Sequence, residues 1–476
     1  VNERQLIVGP FNRVEGDLEI RLEVRDGAVA SAQVNAPLFR GFEMMLPGKD
    51  PRDALTITPR ICGICSVSQS SAAALALADA GGIDMPPQGR IAAALLHGVE
   101  NMADHVTHFH LFFMPDFARP GYDGRAWHDR ALARFTAMEG SAARRATEAR
   151  AQLLHIAGIL GGKWPHTLAI QPGGVTKAPD AGERVRILAT LRSFRRFLED
   201  SLFGAPVEAF AALPDVAALE SWESGDAGLF QAISADLGLE GTGIGPRRYL
   251  SAGAYPLDTG RVSASGVWEG GQITPFETGA ITEDLSHAWM LGDTAHPARG
   301  LTEPDEDMAD PGYSWCKAPR LAGRTVEVGA LARQVVDRHP LALALAAEGS
   351  VRARIAGRLL EIARLQILLE DLARSLDPSA PFMAPAPWPR SGTGAGLVEA
   401  ARGTLGHWLR IEEGRIAGYQ IVAPTTWNFS PRDVTGAPGP VEAALVGAEV
   451  RPGEETPLSV QHIVRSFDPC MACTVH

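Results

Sequence analysis

Cys62 and Cys65 stand in Arg-Ile-Cys-Gly-Ile-Cys, and Cys470 and Cys473 stand more than four hundred residues later in Asp-Pro-Cys-Met-Ala-Cys-Thr-Val-His. Together they use four of the chain's five cysteines. A Cys-x-x-Cys turn aims two sulfurs at one point, and two such turns supply the tetrahedral soft-ligand set taken by zinc, nickel or an iron-sulfur centre. A structural zinc ribbon folds locally, with its pairs about 15 to 20 residues apart. Here the metal would instead tie the first part of a large fold to its last, and such a site is more often catalytic than a local staple.

At 476 residues the chain has the length of about three average domains. No linker divides it, so residues 1–476 are expected to form a single domain. A hydrophobic content of 45% is enough for a substantial core and too high for disorder. The formal net charge of -12, with no run of lysines or arginines, lacks the positive footprint that phosphate backbones require, which excludes nucleic acid as a partner. Five cysteines make no disulfide framework, and thiolates free for metal imply assembly in a reducing compartment, so the cytoplasm is expected. No stretch reaches the roughly 18 apolar residues of a membrane helix, and Val1-Asn2-Glu3-Arg4-Gln5 lacks the pattern of a secretory signal. The chain is expected neither to insert into a membrane nor to export itself, although a partner carrying an export signal can take it along.

Leu18, Ile20, Leu22 and Val24, then Asp26-Gly27, then Val29 and Val34 alternate as a β-hairpin. Trp408, Leu409 and Ile411, then Glu413-Gly414, then Ile416, Tyr419 and Ile421 predict a second hairpin before the C-terminal cysteines. Between them, 91–113, 142–160, 185–203 and 351–372 carry apolar residues at helical spacing. In the last of these, Val351, Ile355, Leu359, Ile362 and Leu369 form one stripe, with Arg352, Arg358 and Glu361 off it. The pattern predicts a mainly α chain with small β elements (α+β), a long central helical bundle between N- and C-terminal β-hairpins. Loops are expected at 162–174, 303–312 and 381–396. Gly241 to Gly245 and Gly392 to Gly396 lack the strand and spacing of a dinucleotide fold, and both are expected to be flexible turns.

An ordered series of short motifs runs along the chain. Arg13-Val14-Glu15-Gly16 opens it, and Arg60-Ile61-Cys62-Gly63-Ile64-Cys65 follows. Asp104-His105 to His108-Phe109, Gly161-Gly162-Lys163 to Gly173-Gly174-Val175, and Tyr313-Ser314-Trp315 with Lys317-Ala318-Pro319-Arg320 fill the middle. Glu399 to Gly403, Pro424-Thr425-Thr426-Trp427-Asn428 and Asp468-Pro469-Cys470 complete it. This series resembles the large subunit of the nickel-iron hydrogenases nearly end to end.

The resemblance implies that all four thiolates bind nickel, Cys62 and Cys470 terminally, with Cys65 and Cys473 bridging to an iron that carries cyanide and carbon monoxide. It implies that Cys470 takes the proton when dihydrogen is split and that Glu15 passes it on. Arg402 matches a guanidinium over the open metal position, held by Asp104 and Asp468, and Pro424 and Thr425 match the wall around the iron's diatomic ligands. On sequence alone such an arginine between two aspartates is equally a structural ion pair. Glu43, the Ile421 carbonyl and the terminal His476 resemble the ligands of a magnesium ion. His105, His108 and His110 are expected to be core histidines satisfied by hydrogen bonds, and Cys316 a small buried apolar side chain.

Gln69 departs from the pattern, because many catalytic relatives carry a histidine there; an amide can donate a hydrogen bond in the metal's surroundings but cannot titrate. Asp17, Ala330 and Ala401 also depart. Gln69 with Ser66-Val67-Ser68, and the unextended Met-Ala-Cys-Thr-Val-His ending, is most similar to the regulatory, dihydrogen-sensing hydrogenases. That likeness implies slow turnover, a signalling histidine kinase as partner, and maturation proteins that assemble the centre. It also implies an iron-sulfur small subunit in a heterodimer, or a dimer of heterodimers, since no cysteines remain here for such clusters. The alternatives are a respiratory uptake hydrogenase and a metal-free, quinone-binding scaffold, which would have no need of four cysteines.

Overall fold

The computed structural model describes residues 3–385 and 388–474. Strands β1 (Glu3–Val8), β2 (Glu19–Arg25) and β3 (Ala28–Asn35) form an antiparallel meander in that order. Ile20, Leu22 and Val24 face the core while Arg21 and Glu23 face solvent, the period of two that marks a half-buried sheet. Asp26 and Gly27 both take positive φ, as a tight hairpin matching strand twist requires. The expected hairpin is therefore present, and β1 adds a third strand to it.

The helices fall close to the expected segments. α1 is Ser66–Gly81, α2 is Pro87–Thr107 continued by a π-helical turn at His108–Phe113, and α3 is Ser141–Leu153. α4 is His155–Gly161, so the expected helix over 142–160 is interrupted at Leu154. α5 is Ala181–Phe197, also ending in a π-helical turn, and α6 is Val351–Arg374. α6 is buried all round rather than striped. Its off-stripe charges are paired inside the protein: Arg352 with Glu348 at 2.6 Å, Arg354 with Glu327 at 2.8 Å, and Glu361 with Arg333 at 2.7 Å.

Small sheets interrupt the segment expected to be mostly helical, and two of them are the larger. β4 (Arg248–Ser251), β5 (Gly266–Glu269) and β6 (Gln272–Thr274) pair in the order β6-β5-β4, and β7 (Ile281–Asp284) pairs with β8 (Ala318–Leu321). Strands of three or four residues hold too few alternations for periodicity to reveal.

The C-terminal hairpin, β10 (Gly403–Glu412) with β11 (Arg415–Val422), is joined by β9 (Gly392–Ala400). Gly392 to Gly396 is thus strand and not a flexible turn, and the expected loop over 381–396 ends before it. A Cβ on Gly392 would lie 2.9 Å from the Ala80 oxygen, one on Gly394 2.0 Å from Ala76 O, and one on Gly396 2.0 Å from Ala72 O. Every second residue of β9 meets every fourth residue of α1, so the strand lies directly on the helix backbone. Alanines on one side and glycines on the other permit this approach, which fixes the helix carrying the first cysteine pair against the sheet that precedes the second. Gly241 to Gly245 is a turn, held in place by Val351 N–H donating to Thr242 O and Arg354 Nη1 donating to Gly243 O. Among the described residues no helix is long and apolar enough to cross a membrane.

Candidate metal centre

Cys65 caps the N-terminus of α1, and Cys470 follows the last helix, α7 (Leu458–Ser466). The N-terminal segment joins them: Glu15 N–H donates to Pro469 O at 3.3 Å and Met471 N–H donates to Glu15 O at 2.6 Å. Arg40 ties the two cysteine turns together, with Nη1 on Ala472 O at 2.9 Å and on Ile61 O, and Nη2 on Arg60 O at 3.3 Å.

All four cysteines are buried, free of disulfides, and have sulfurs within 4.8 Å of one another. Cys65 Sγ lies 3.4 Å from Cys473 Sγ, and Cys470 Sγ lies 3.5 Å from Cys62 Sγ. Sulfurs about 2.3 Å from a shared metal stand up to about 4.6 Å apart, so this quartet fits one metal centre. Hydrogen bonds from its neighbours hold Cys62 well below the usual thiol range, while Cys65 and Cys473 are pushed up by the same contacts and by burial. A bound cation is what would let all four sulfurs ionise together.

Beside the sulfurs Arg402 is buried on the tight turn between β9 and β10. Its Nη1 donates to Asp104 Oδ2, Nη2 to Asp468 Oδ1 at 3.0 Å, and Nε to Asp468 O at 2.9 Å. Burial opposes its charge, but Asp104 and Asp468 outweigh that and raise its affinity for the proton. Burial lifts Asp104 to about 7 despite Arg402, whereas Asp468, also reached by His108 and Arg358, is held at about 2. Glu15, half-buried, is raised by burial and by the Cys62 charge, with Arg402 and Arg40 working the other way. Thr425 Oγ1 accepts from Cys470 N–H at 3.1 Å, and Pro424 opens the short buried helix Pro424–Asn428. Gln69 is buried one turn beyond Cys65 and meets His407.

Glu43 is buried apart from these groups. It accepts from Ile421 N–H at 2.6 Å, from Lys317 Nζ at 3.1 Å and from the Thr302 hydroxyl. Glu283 lies 3.8 Å from the same ammonium. The Lys317 ammonium thus faces two buried carboxylates, whose oxygens are donors of the kind a hard cation takes. The Ile421 contact seen is its amide rather than its carbonyl, and His476 lies outside the described residues.

Several neighbours join the site through roles that the sequence reading did not assign. Glu100 accepts from the Val67 and Ser68 amides at 2.8 and 2.9 Å and from Trp164 Nε1 at 3.1 Å, holding the first turn of α1. It stands four residues before Asp104 on α2, so helical spacing alone could have paired them. His105 is a satisfied core histidine, as expected, yet it also joins the site. Its Nε2 bonds Glu361 at 3.1 Å and its Nδ1 meets Arg358 Nη1 at 3.3 Å, which in turn lies 3.3 Å from Asp468. His108 donates to Arg465 O at 2.6 Å, His110 to Val106 O at 3.0 Å, and Cys316 is buried.

The sequence profile described as nickel-dependent hydrogenase matches residues 40–119 and 144–476. The periplasmic [NiFeSe] hydrogenase large subunit of Desulfomicrobium baculatum is 31% identical over 99% of this chain and 95% of the relative. The uptake hydrogenase large subunit of Rhodobacter capsulatus is 27% identical over the same shares. A solved reduced Ni-Fe-Se hydrogenase of D. vulgaris Hildenborough is 28% identical, covers 100% of both chains and superposes with a TM-score of 0.87. With its two distant cysteine pairs brought to one buried point and its whole length matched, the chain belongs to the nickel-dependent hydrogenases, as a large subunit.

Proposed function

We propose that this chain is the large subunit of a dihydrogen-sensing regulatory hydrogenase whose four thiolates hold a nickel-iron centre, with cyanide and carbon monoxide on the iron. When bound, that centre supplies the Lewis acidity that makes dihydrogen acidic enough to part with a proton. The chain's own residues do the rest. Cys470 Sγ accepts the proton, and the Glu15 carboxylate, whose backbone is bridged to that of Cys470, takes it onward. Arg402, fixed by Asp104 and Asp468, presents a permanent positive charge beside the sulfurs. Glu43, with the Ile421 carbonyl and His476, would hold magnesium. Electrons leave through an iron-sulfur small subunit, and the exposed Leu38, Met44 and Met45 near Arg40 offer it an apolar surface.

The observation that carries the sensing reading is Gln69, an amide bonded to His407, where a titratable imidazole would serve turnover. Signalling through a histidine kinase goes with a cytoplasmic location. The uptake reading has its own support in the name of one relative, the uptake hydrogenase large subunit of Rhodobacter capsulatus. The two are separated in cells by comparing kinase output and dihydrogen-dependent growth after deletion of this chain, with the hydrogenase genes expressed artificially. Growth that persists while kinase control disappears is expected; loss of growth under that arrangement overturns sensing.

A further inference from the structure

Cys65 stands at the N-cap position of α1. A polar side chain there normally accepts from the second or third backbone N–H of its helix, here those of Val67 and Ser68, because these amides have no partner inside the helix. A thiolate is a ready acceptor for them. Yet the Cys65 side chain makes no capping bond. Among the described residues its sulfur meets the other cysteines, Cys473 Sγ at 3.4 Å.

Both amides go instead to Glu100 on α2. Val67 N–H donates to Glu100 Oε2 at 2.8 Å and Ser68 N–H to Oε1 at 2.9 Å, one to each carboxylate oxygen. Three further donors hold the same group: Ser68 Oγ on Oε1 at 3.1 Å, with Ser66 Oγ at 3.3 Å and Trp164 Nε1 at 3.1 Å on Oε2. Ser66 Oγ in turn accepts from His166 N–H at 3.3 Å, so the loop at 164–166 is fastened to the same turn. Glu100 is buried, and burial lifts its carboxyl to about 7 while these hydrogen bonds pull the other way. A carboxylate from a neighbouring helix thus supplies the cap, and its charge faces the positive end of α1.

We propose that Glu100 is a positioning residue for the metal centre: by capping α1 from α2 it takes the two N–H groups that Cys65 would otherwise accept, and leaves that thiolate's lone pairs to the metals. A sulfur that accepts hydrogen bonds gives less charge to the metal it binds. Cys65, by resemblance a bridge between nickel and iron, has two metals to serve with the same lone pairs. This rests on the four cysteines holding the nickel-iron centre of the proposed function and is independent of the sensing reading.

The test uses the assembled heterodimer at about pH 8.5, where the Glu100 carboxylate is charged. The readout is the infrared stretching frequency of the iron's carbon monoxide at full nickel and iron content. Glu100→Met, of similar volume, removes both acceptor oxygens, whereas Glu100→Gln removes the same charge and keeps one oxygen. With the amides returned to Cys65 the band is expected to rise, and to rise further in Glu100→Met than in Glu100→Gln. Equal shifts in the two would assign the effect to the lost charge alone, and an unmoved band in both would mean that the Cys65 sulfur gained no donor; either overturns the proposal. Should Glu100→Met not assemble, Val67 decides. With 15N-valine labelling and Val67→Ile as the assignment control, its amide proton is expected far downfield in the parent, as a bond to a carboxylate requires, and upfield of that in Glu100→Gln. The same shift in both overturns the proposal. A parent without nickel and iron would overturn the metal-centre reading itself, whatever the Val67 shift, and so tells the two failures apart.

Discussion

Gly16 and Ala472 pack backbone against backbone: a Cβ built on Gly16, whose φ is +79, would lie 2.7 Å from the Ala472 nitrogen. That contact allows the segment carrying Glu15 to lie against the second cysteine pair. Gly16→Ala is expected to cost about 2–4 kcal/mol, from positive φ and overpacking together. Elemental analysis should show reduced nickel per chain, and a fully loaded variant of unchanged stability would contradict this.

Arg402 is the cation that bonds Asp104. Arg402→Met should destabilise the protein by about 3–5 kcal/mol, since it strands a buried carboxylate. Adding Asp104→Asn should recover more than about 1 kcal/mol. Denaturant midpoints of the two singles and the double complete the cycle, and simple additivity would refute the coupling.

Glu15→Gln keeps the size and the backbone bridge but cannot carry a proton. Isotope exchange between dihydrogen and heavy water should fall at least about 100-fold, with nickel and iron contents unchanged. Exchange at the parent rate would remove Glu15 from the proton's route.

Glu442 is buried, accepts from Val34 N–H at 2.9 Å and Tyr313 Oη at 2.8 Å, and is raised by burial from 4.5 to about 7. The fold thus binds this proton more tightly than the unfolded chain does. The associated stability is complete below about pH 4.5 and lost as pH rises through about 7. Glu442→Gln, which does not titrate, should therefore gain on the parent across that window by up to about 3 kcal/mol. Calorimetric melting at pH 4.5 and 8 measures the difference, and a flat comparison would rule it out.

Much of the architecture was legible because its signals are local. Alternation around Asp26-Gly27 and Glu413-Gly414 needs only a few residues to mark a hairpin, and the apolar spacing of α2 and α6 needs only a few turns. What stayed hidden depends on neighbours far along the chain. Gly392 to Gly396 looked like a turn because glycine-rich stretches usually are; only the backbone of Ala72, Ala76 and Ala80 lying against it makes those glycines a strand. Arg352, Arg358 and Glu361 lie off the apolar stripe, and become buried pairs only once partners from other segments surround α6.

The site divides in the same way. By itself the sequence determined the ligand chemistry: four thiolates in two Cys-x-x-Cys turns, with Glu15, Asp104, Arg402 and Asp468 in an ordered series, since residue type and spacing are covalent facts. Tertiary structure alone decided that Cys62 and Cys65 meet Cys470 and Cys473, that Arg402 lies between its two aspartates, and that Gln69 meets His407. Those relations depend on the packing of segments hundreds of residues apart, which no local pattern of residues encodes.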